Sequence, residues 1–347
     1  MKVFTPVQKS ANSFFDEITF HSEHEYVHGT LDDDTSGYTT ILIQWPEQIF
    51  NWKEPDDQQL SHLSQAIKKW KQFSKIIYIV HNEKPHLGMT KQFQKLYDIV
   101  ESSSDILLHF GKYSQEIFEK KYIHSQHRIL KHPLYKRSFP FFTKEEARKQ
   151  LGIDLGREVM IAPGKIRTLK ERNLVLDSFK QVKNSNRTLI VPNMFWKQST
   201  IEFVGRQKLK GILDVKTKIE KQMNGIFNPP DYIVNYSFIE AKQLALFLAA
   251  SDVVFIPRIH TLNSGNIYLG LTLKKIIVGP ETGNLTEELK KFDFPIFQPN
   301  TPASIKLAIE EGFRLSTKVE EVYKNIFTEA YEPKNIASQL DQIIREG

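Results

Sequence analysis

Residues 252–266 read Asp252-Val-Val-Phe-Ile-Pro-Arg-Ile-His-Thr-Leu-Asn-Ser-Gly-Asn266. The apolar run to Ile256 has the length and β-branched character of a buried strand. The polar turn Asn263-Ser-Gly-Asn266 follows, and then an apolar helix over 266–273. A strand, a small polar turn and a helix start make an anion site. The first helical N–H groups lack intrahelical partners, and the helix dipole adds about half a positive charge there. Ser264 and Gly265 let a phosphate come close to the backbone. A second strand, over 158–162, runs into Gly164-Lys-Ile-Arg-Thr-Leu-Lys170. Lys165, Arg167 and Lys170 at that turn predict a second anion site. Two such sites in one α/β unit point to a ligand with a diphosphate.

The 347 residues exceed one ordinary core and fit two domains. The composition, 40% hydrophobic and 25% charged, is that of a water-soluble protein. With no cysteine, disulfides and thiolate metal sites are excluded. No run is long and apolar enough for a transmembrane helix, and Met1–Gln8 has no signal-peptide apolar region, so a cytoplasmic location is expected. The net charge of +6 is compatible with anionic ligands, an anionic membrane surface or nucleic acid, and selects none of them.

The first half alternates apolar strands at 40–44, 75–80, 105–109 and 128–130 with helical faces such as Leu60, Leu63, Ile67 and Trp70. The second half repeats the pattern: strands at 158–162, 187–191, 232–236, 252–256 and 276–278, with helices at 170–182, 239–250 and 266–273. This alternation predicts parallel sheets covered on both faces. Residues 195–230 carry an irregular pattern with one helix, and 302–345 reads as helix interrupted near Pro333. The Pro-containing stretch 131–143 separates the halves, and Thr143-Lys-Glu-Glu146 reads as a capping box. The expected domains are 1–140, completed by a C-terminal helix at about 328–347 that crosses back, and 144–327. Two doubly wound domains facing each other place a ligand at the C-terminal ends of their strands. His81-Asn-Glu-Lys-Pro-His86, Gly164–Lys170 and Pro257–Asn266 all follow strands.

These stretches resemble the GT-B fold glycosyltransferases, in particular bacterial family-four-type transferases with nucleotide-sugar donors. Gln44-Trp-Pro-Glu47, Tyr78-Ile-Val-His-Asn82 with Pro85-His86, Lys131-His-Pro-Leu-Tyr135 and Ala147-Arg-Lys-Gln-Leu-Gly-Ile153 match that group's segments in order. Gly164-Lys165 and Lys170 resemble its diphosphate clamp, with Lys for Arg and Glu171 for Gly. Ala250–Pro257 and Leu262-Asn-Ser-Gly265 resemble its donor strand and phosphate turn. The group's paired glutamates fall at Thr261 and Leu269, neither acidic, and Pro6–Ser13 lacks the glycines of its acceptor loop.

The resemblance implies two Rossmann-like domains and sugar transfer from a nucleotide-diphosphate donor to a saccharide or lipid-linked glycan, in surface-polysaccharide assembly. It gives His81 the catalytic position, with Glu83 and Glu47 as alternatives. Lys165, Lys170, Arg167, Ser264, Gly265 and Asn266 bind the diphosphate, and Asn82, His86, Asn263 and His260 contact donor or acceptor. Glu281–Asn284 is a further donor-side candidate, whereas Asp252 reads as structural. No metal and no cofactor beyond the donor is expected, and no nucleic-acid partner. Lys68, Lys69, Lys71 and Lys75, interleaved with Trp70 and Phe73, suggest peripheral contact with an anionic membrane at the inner face of the plasma membrane. Two other readings are a nucleotide-sugar epimerase of the same architecture and a degenerate member that binds without catalysis.

Overall fold

The computed structural model describes all residues except Ala11, Lys84, His86, Leu87, 196–226, Phe327 and Gly347. His86, and the helix expected within 195–230, therefore lie outside the described residues or largely so.

The first sheet holds β1 (Lys2–Thr5), β2 (Glu25–His28), β3 (Thr40–Ile43), β4 (Lys75–Ile79), β5 (Ile106–His109) and β6 (Gln126–Ile129). Their order is β2-β1-β3-β4-β5-β6 and every pairing is parallel. Alternate residues feed opposite faces, as the pleat requires. Ile76, Tyr78 and Val80 pack with α2 (Asp57–Trp70) and α3 (Lys91–Ser103). Ile77 and Ile79 pack with α1 (Ser13–Thr19) and the last helix. Trp70 is buried in that first core, so it is no part of a surface stripe with Lys68–Lys75; Phe73 is exposed, and Lys71 pairs with Asp105 at 3.0 Å.

The second sheet holds β7 (Glu158–Ile161), β8 (Arg187–Val191), β9 (Tyr232–Val234), β10 (Val253–Phe255), β11 (Ile276–Pro280) and β12 (Ile296–Phe297). Their order is β12-β11-β10-β7-β8-β9, again parallel throughout. One face is covered by α5 (Lys144–Leu151), α7 (Ala241–Ala250) and α8 (Gly265–Thr272), the other by α6 (Leu169–Val182) and α10 (Pro302–Ser316). Two buried polar residues fasten the start of this sheet. Asp252 accepts from the Val159 N–H and from Arg148 Nη2, both at 2.7 Å, and pairs with Lys144 at 2.6 Å. Arg148, fully buried on α5, also donates to the carbonyls of Ala250 and Arg157. A buried guanidinium needs this density of acceptors to offset its desolvation.

The two Rossmann-like units face each other across a cleft, the GT-B architecture. The linker closes against both. Glu17, 1% exposed on α1, accepts from the N–H groups of Arg137 and Ser138 and from the Ser138 hydroxyl at 2.8–2.9 Å. The Tyr135 N–H donates to Thr272 Oγ1 at 3.0 Å. The chain ends in α11 (Val319–Lys324) and α12 (Pro333–Glu346), and α12 packs Ile336, Leu340 and Ile344 into the first sheet's core. Asp341 on α12 accepts from the Glu23 N–H at 2.8 Å and from the Ser22 hydroxyl.

Candidate active site

Strand order reverses in each sheet at one place, between β1 and β3 and between β7 and β10. At such switch points the loops leaving the strand ends part and open a crevice. In the second sheet those loops are residues 162–168 and 256–264, the two stretches read as anion sites.

The structure brings them together. Asn266 Nδ2 donates to the Pro163 carbonyl at 3.1 Å, and Arg258 Nη2 donates to the Lys165 carbonyl at 3.2 Å. Gly164 has φ +82°, a left-handed conformation that favours glycine, and the position of its missing Cβ lies 3.6 Å from the Asn266 amide. Lys165 and Lys170 are exposed. Arg167 is half-buried, and burial, then repulsion from Arg258, pull its guanidinium down to about 10, with Glu171 opposing. It remains charged near neutrality. Ser264 starts α8 without a side-chain cap, so its hydroxyl does not compete for the first N–H groups.

Gly265 also has a steric neighbour within the protein that a side chain would meet. A Cβ there would lie 2.7 Å from Tyr135 Oη. Tyr135 in turn lies 3.3 Å from His132 Nε2, while His132 Nδ1–H donates to the Pro133 carbonyl at 2.8 Å. The His132 ring lies flat on Tyr268, with centroids 4.1 Å apart. Burial, against the pull of the Pro133 carbonyl, drives His132 down to about 3, so it is neutral near pH 7.

His81 lies at the same junction, at the end of β4. Its ring stacks on Trp45 at 4.0 Å and meets the edge of Phe14 at 4.9 Å and Phe110 at 5.2 Å. It is 8% exposed. Phe14 and Phe110 also contact His132, so the two histidines share one aromatic wall. Of the alternatives, Glu83 is exposed. Glu47 is 2% exposed and buried beside Tyr97 of α3.

Asn263 and Asn284 are committed to holding the domains together. Asn263 Nδ2 donates to the carbonyls of Val80 and His81 at 3.2 and 2.8 Å. Its Oδ1 accepts from Asn284 Nδ2 at 2.7 Å. Asn284, 2% exposed, exchanges two bonds with Ser114 across the cleft, N–H to Oδ1 at 3.1 Å and Nδ2 to Oγ at 3.0 Å. Glu287, on α9 (Gly283–Lys291), accepts from the Lys112 and Tyr113 N–H groups at 2.9 and 2.6 Å, so it caps α4 (Lys112–Lys121) of the other domain. Leu262 buries itself in the first domain's core. His260 is exposed beside this seam and Asn82 is half-buried. Leu269 is buried in the second domain's core, so the position of a family glutamate supplies no carboxylate.

At the first sheet's switch point a cavity of about 170 Å³ is lined by Lys9, Asn12, Asp16, His28 and Gln44, among others. Asn12 Nδ2 donates to Gln44 Oε1 at 3.0 Å, and Gln44 adjoins Trp45, the partner of His81. His132, Tyr135, Phe14 and Phe110 were not site candidates on sequence grounds, though Lys131–Tyr135 carried a family-like signal. Among the described residues no group of three His, Asp or Glu side chains could hold a metal ion, and no helix is long and apolar enough to cross a membrane.

Solved structures share the architecture. The Anabaena protein HepE, solved with UDP, superposes with a TM-score of 0.66 at 11% identity over 100% of both chains. A glycosyltransferase from Rickettsia africae gives 0.65 at 9% identity, over 99% of this chain and 98% of that one. Sucrose-phosphate synthase from Thermosynechococcus elongatus gives 0.60 at 12%, over 90% and 74%. The chain therefore has the GT-B fold of nucleotide-sugar-dependent transferases and synthases. No protein-family model matches it, and no curated protein sequence does.

Proposed function

We propose that this protein is a metal-independent glycosyltransferase that moves a sugar from a nucleotide-diphosphate donor to a saccharide or lipid-linked glycan, in surface-polysaccharide assembly. The observation that carries the reading is the convergence of the Gly164–Lys170 loop, Arg258 and the start of α8 at one switch point. Lys165, Lys170 and Arg167 supply charge to the diphosphate; Ser264, Gly265 and Asn266 present the helix start. When the sugar–phosphate bond breaks, its electron pair stays on the β-phosphate oxygen, and fixed cations stabilise that charge most at the transition state. They do the work a divalent metal does elsewhere.

His81, whose backbone carbonyl accepts from Asn263 at the seam between the domains, is the residue we assign to the donor sugar at the reacting centre. Its Trp45 and Phe14 neighbours hold the ring in one orientation. Asn82 and His260 are the further residues assigned to substrate contact, and His86 lies outside the described residues. The polar cavity at Asn12, Asp16 and His28 suits the hydroxyls of an acceptor. The HepE structures with UDP and UDP-glucose make uridine donors the first to try. Exposed Phe73 beside Lys75 is the candidate point of membrane contact.

The buried Leu269 favours one second reading, a subunit that binds a nucleotide sugar without turning it over. Nucleoside diphosphate release from a panel of UDP- and GDP-sugars, without acceptor, separates the two. The transferase reading expects slow donor hydrolysis that Lys165→Ala/Lys170→Ala abolishes. Donor binding with no hydrolysis, and no transfer to any glycan offered, selects the binding subunit.

A further inference from the structure

Glu171 has no part in the roles given above, and it binds Arg258 at the point where the cationic loop and the 256–264 loop converge. Glu171 stands where the clamp motif that this loop resembles has glycine. Its carboxylate is 13% exposed and both oxygens are engaged. Oε1 accepts from Arg258 Nε at 2.9 Å and Oε2 from the Arg167 N–H at 2.7 Å. Arg258 also donates to the Lys165 carbonyl at 3.2 Å. Glu171 is the third residue of α6, where a glutamate ordinarily reaches back to the capping residue's own N–H. Here the cap, Thr168, accepts from the Glu171 N–H at 3.1 Å, but the carboxylate extends past it to Arg167 and Arg258.

Lys165, Arg167, Lys170 and Arg258 together carry four positive charges against one negative, a surplus of three. The Arg258 guanidinium is 30% exposed, so an incoming anion can reach it. We propose that Glu171 is a built-in counter-ion, and that Arg258 exchanges it for the diphosphate of the ligand. The inference rests on the donor reading above and adds a consequence for release. Bond cleavage leaves the departing nucleoside diphosphate more negative than the donor was, so without Glu171 these cations would hold the product hardest. A carboxylate in their midst weakens that hold and gives Arg258 a partner to return to.

Titration calorimetry with inorganic pyrophosphate and with UDP, on the full chain, tests this. Pyrophosphate reads the clamp independently of any base. Glu171→Ala is expected to tighten both ligands about tenfold and Arg258→Gln to weaken both about tenfold, the lower end for a charge-assisted contact. A carboxylate that only anchors the loop predicts the opposite for Glu171→Ala, weaker binding. Equal or weaker binding by that variant at an unchanged thermal midpoint overturns the proposal, as does wild-type affinity in Arg258→Gln. Glu171→Gln, which keeps the side chain's length, serves with the same outcomes should alanine unfold the loop. If the wild-type chain binds neither pyrophosphate nor UDP, the donor reading itself fails, a result distinct from the variants failing to differ.

Discussion

Replacing Asn284 by alanine should open the seam between the domains locally. Its amide makes three hydrogen bonds, two with Ser114 and one with Asn263, at a site 2% exposed. The substitution leaves the Ser114 N–H and Asn263 Oδ1 without those partners, and each buried unsatisfied group costs about 1–3 kcal/mol. Water entering the gap recovers part of this, so a net loss of about 3 kcal/mol is expected. That corresponds to amide exchange at the start of α4 faster by on the order of a hundredfold. Hydrogen exchange read by mass spectrometry measures it, with the amides of α2, another helix of the same domain, as an internal reference. Accelerated exchange confined to residues 112–116 and 262–266 supports the latch. Unchanged exchange there, or equal acceleration in α2, refutes it.

Other outcomes follow from the same geometry. His81→Ala should leave nucleoside diphosphate affinity nearly intact while transfer falls sharply; transfer at the wild-type rate would remove His81 from the mechanism. Lys170→Ala should lower donor-dependent turnover about ten- to a hundredfold, the range of one charge-assisted contact, in a steady-state assay. Glu101, buried beside Tyr122 and Lys121, is pushed up to about 7 by desolvation, with its hydrogen bonds from both residues opposing. Because its carboxyl is raised in the folded state, the folded protein binds more protons between the ordinary value of 4.5 and about 7. This contribution is fully present below 4.5 and is lost as pH rises through 7, so Glu101→Gln should flatten the fall in thermal midpoint over that interval. An unaltered pH profile would contradict the assignment.

Much of the architecture was legible because parallel strands buried on both faces must be continuously apolar. Runs such as Lys75–Val80 and Glu158–Ala162 have few other solutions. β2 escaped notice because it is a half-exposed edge strand, Glu25-Tyr-Val-His28, whose polarity matches a loop. α9 escaped because its start is the stretch read as donor-side residues 281–284. The site was legible only as positions at strand ends. Which loop residues face a ligand depends on the opposite domain, and periodicity carries no information about that. Asn263 is the clearest case: it reads as a phosphate-turn residue, yet its amide is consumed by Val80, His81 and Asn284. A Cβ at Gly265 would likewise meet Tyr135, a residue of the linker. Glu171 read as a simple departure from a motif, and only the fold brings Arg258 to it.

The proposed function requires the Gly164–Lys170 loop and the start of α8 to form one diphosphate site. Calorimetric titration of UDP, GDP, ADP and dTDP into the wild-type chain and into Lys165→Ala/Lys170→Ala tests it most directly. At least one nucleoside diphosphate should bind at a single site, and the double variant should bind it at least about tenfold more weakly with its fold intact. Binding of none of the four, or equal affinity in the double variant, would contradict it.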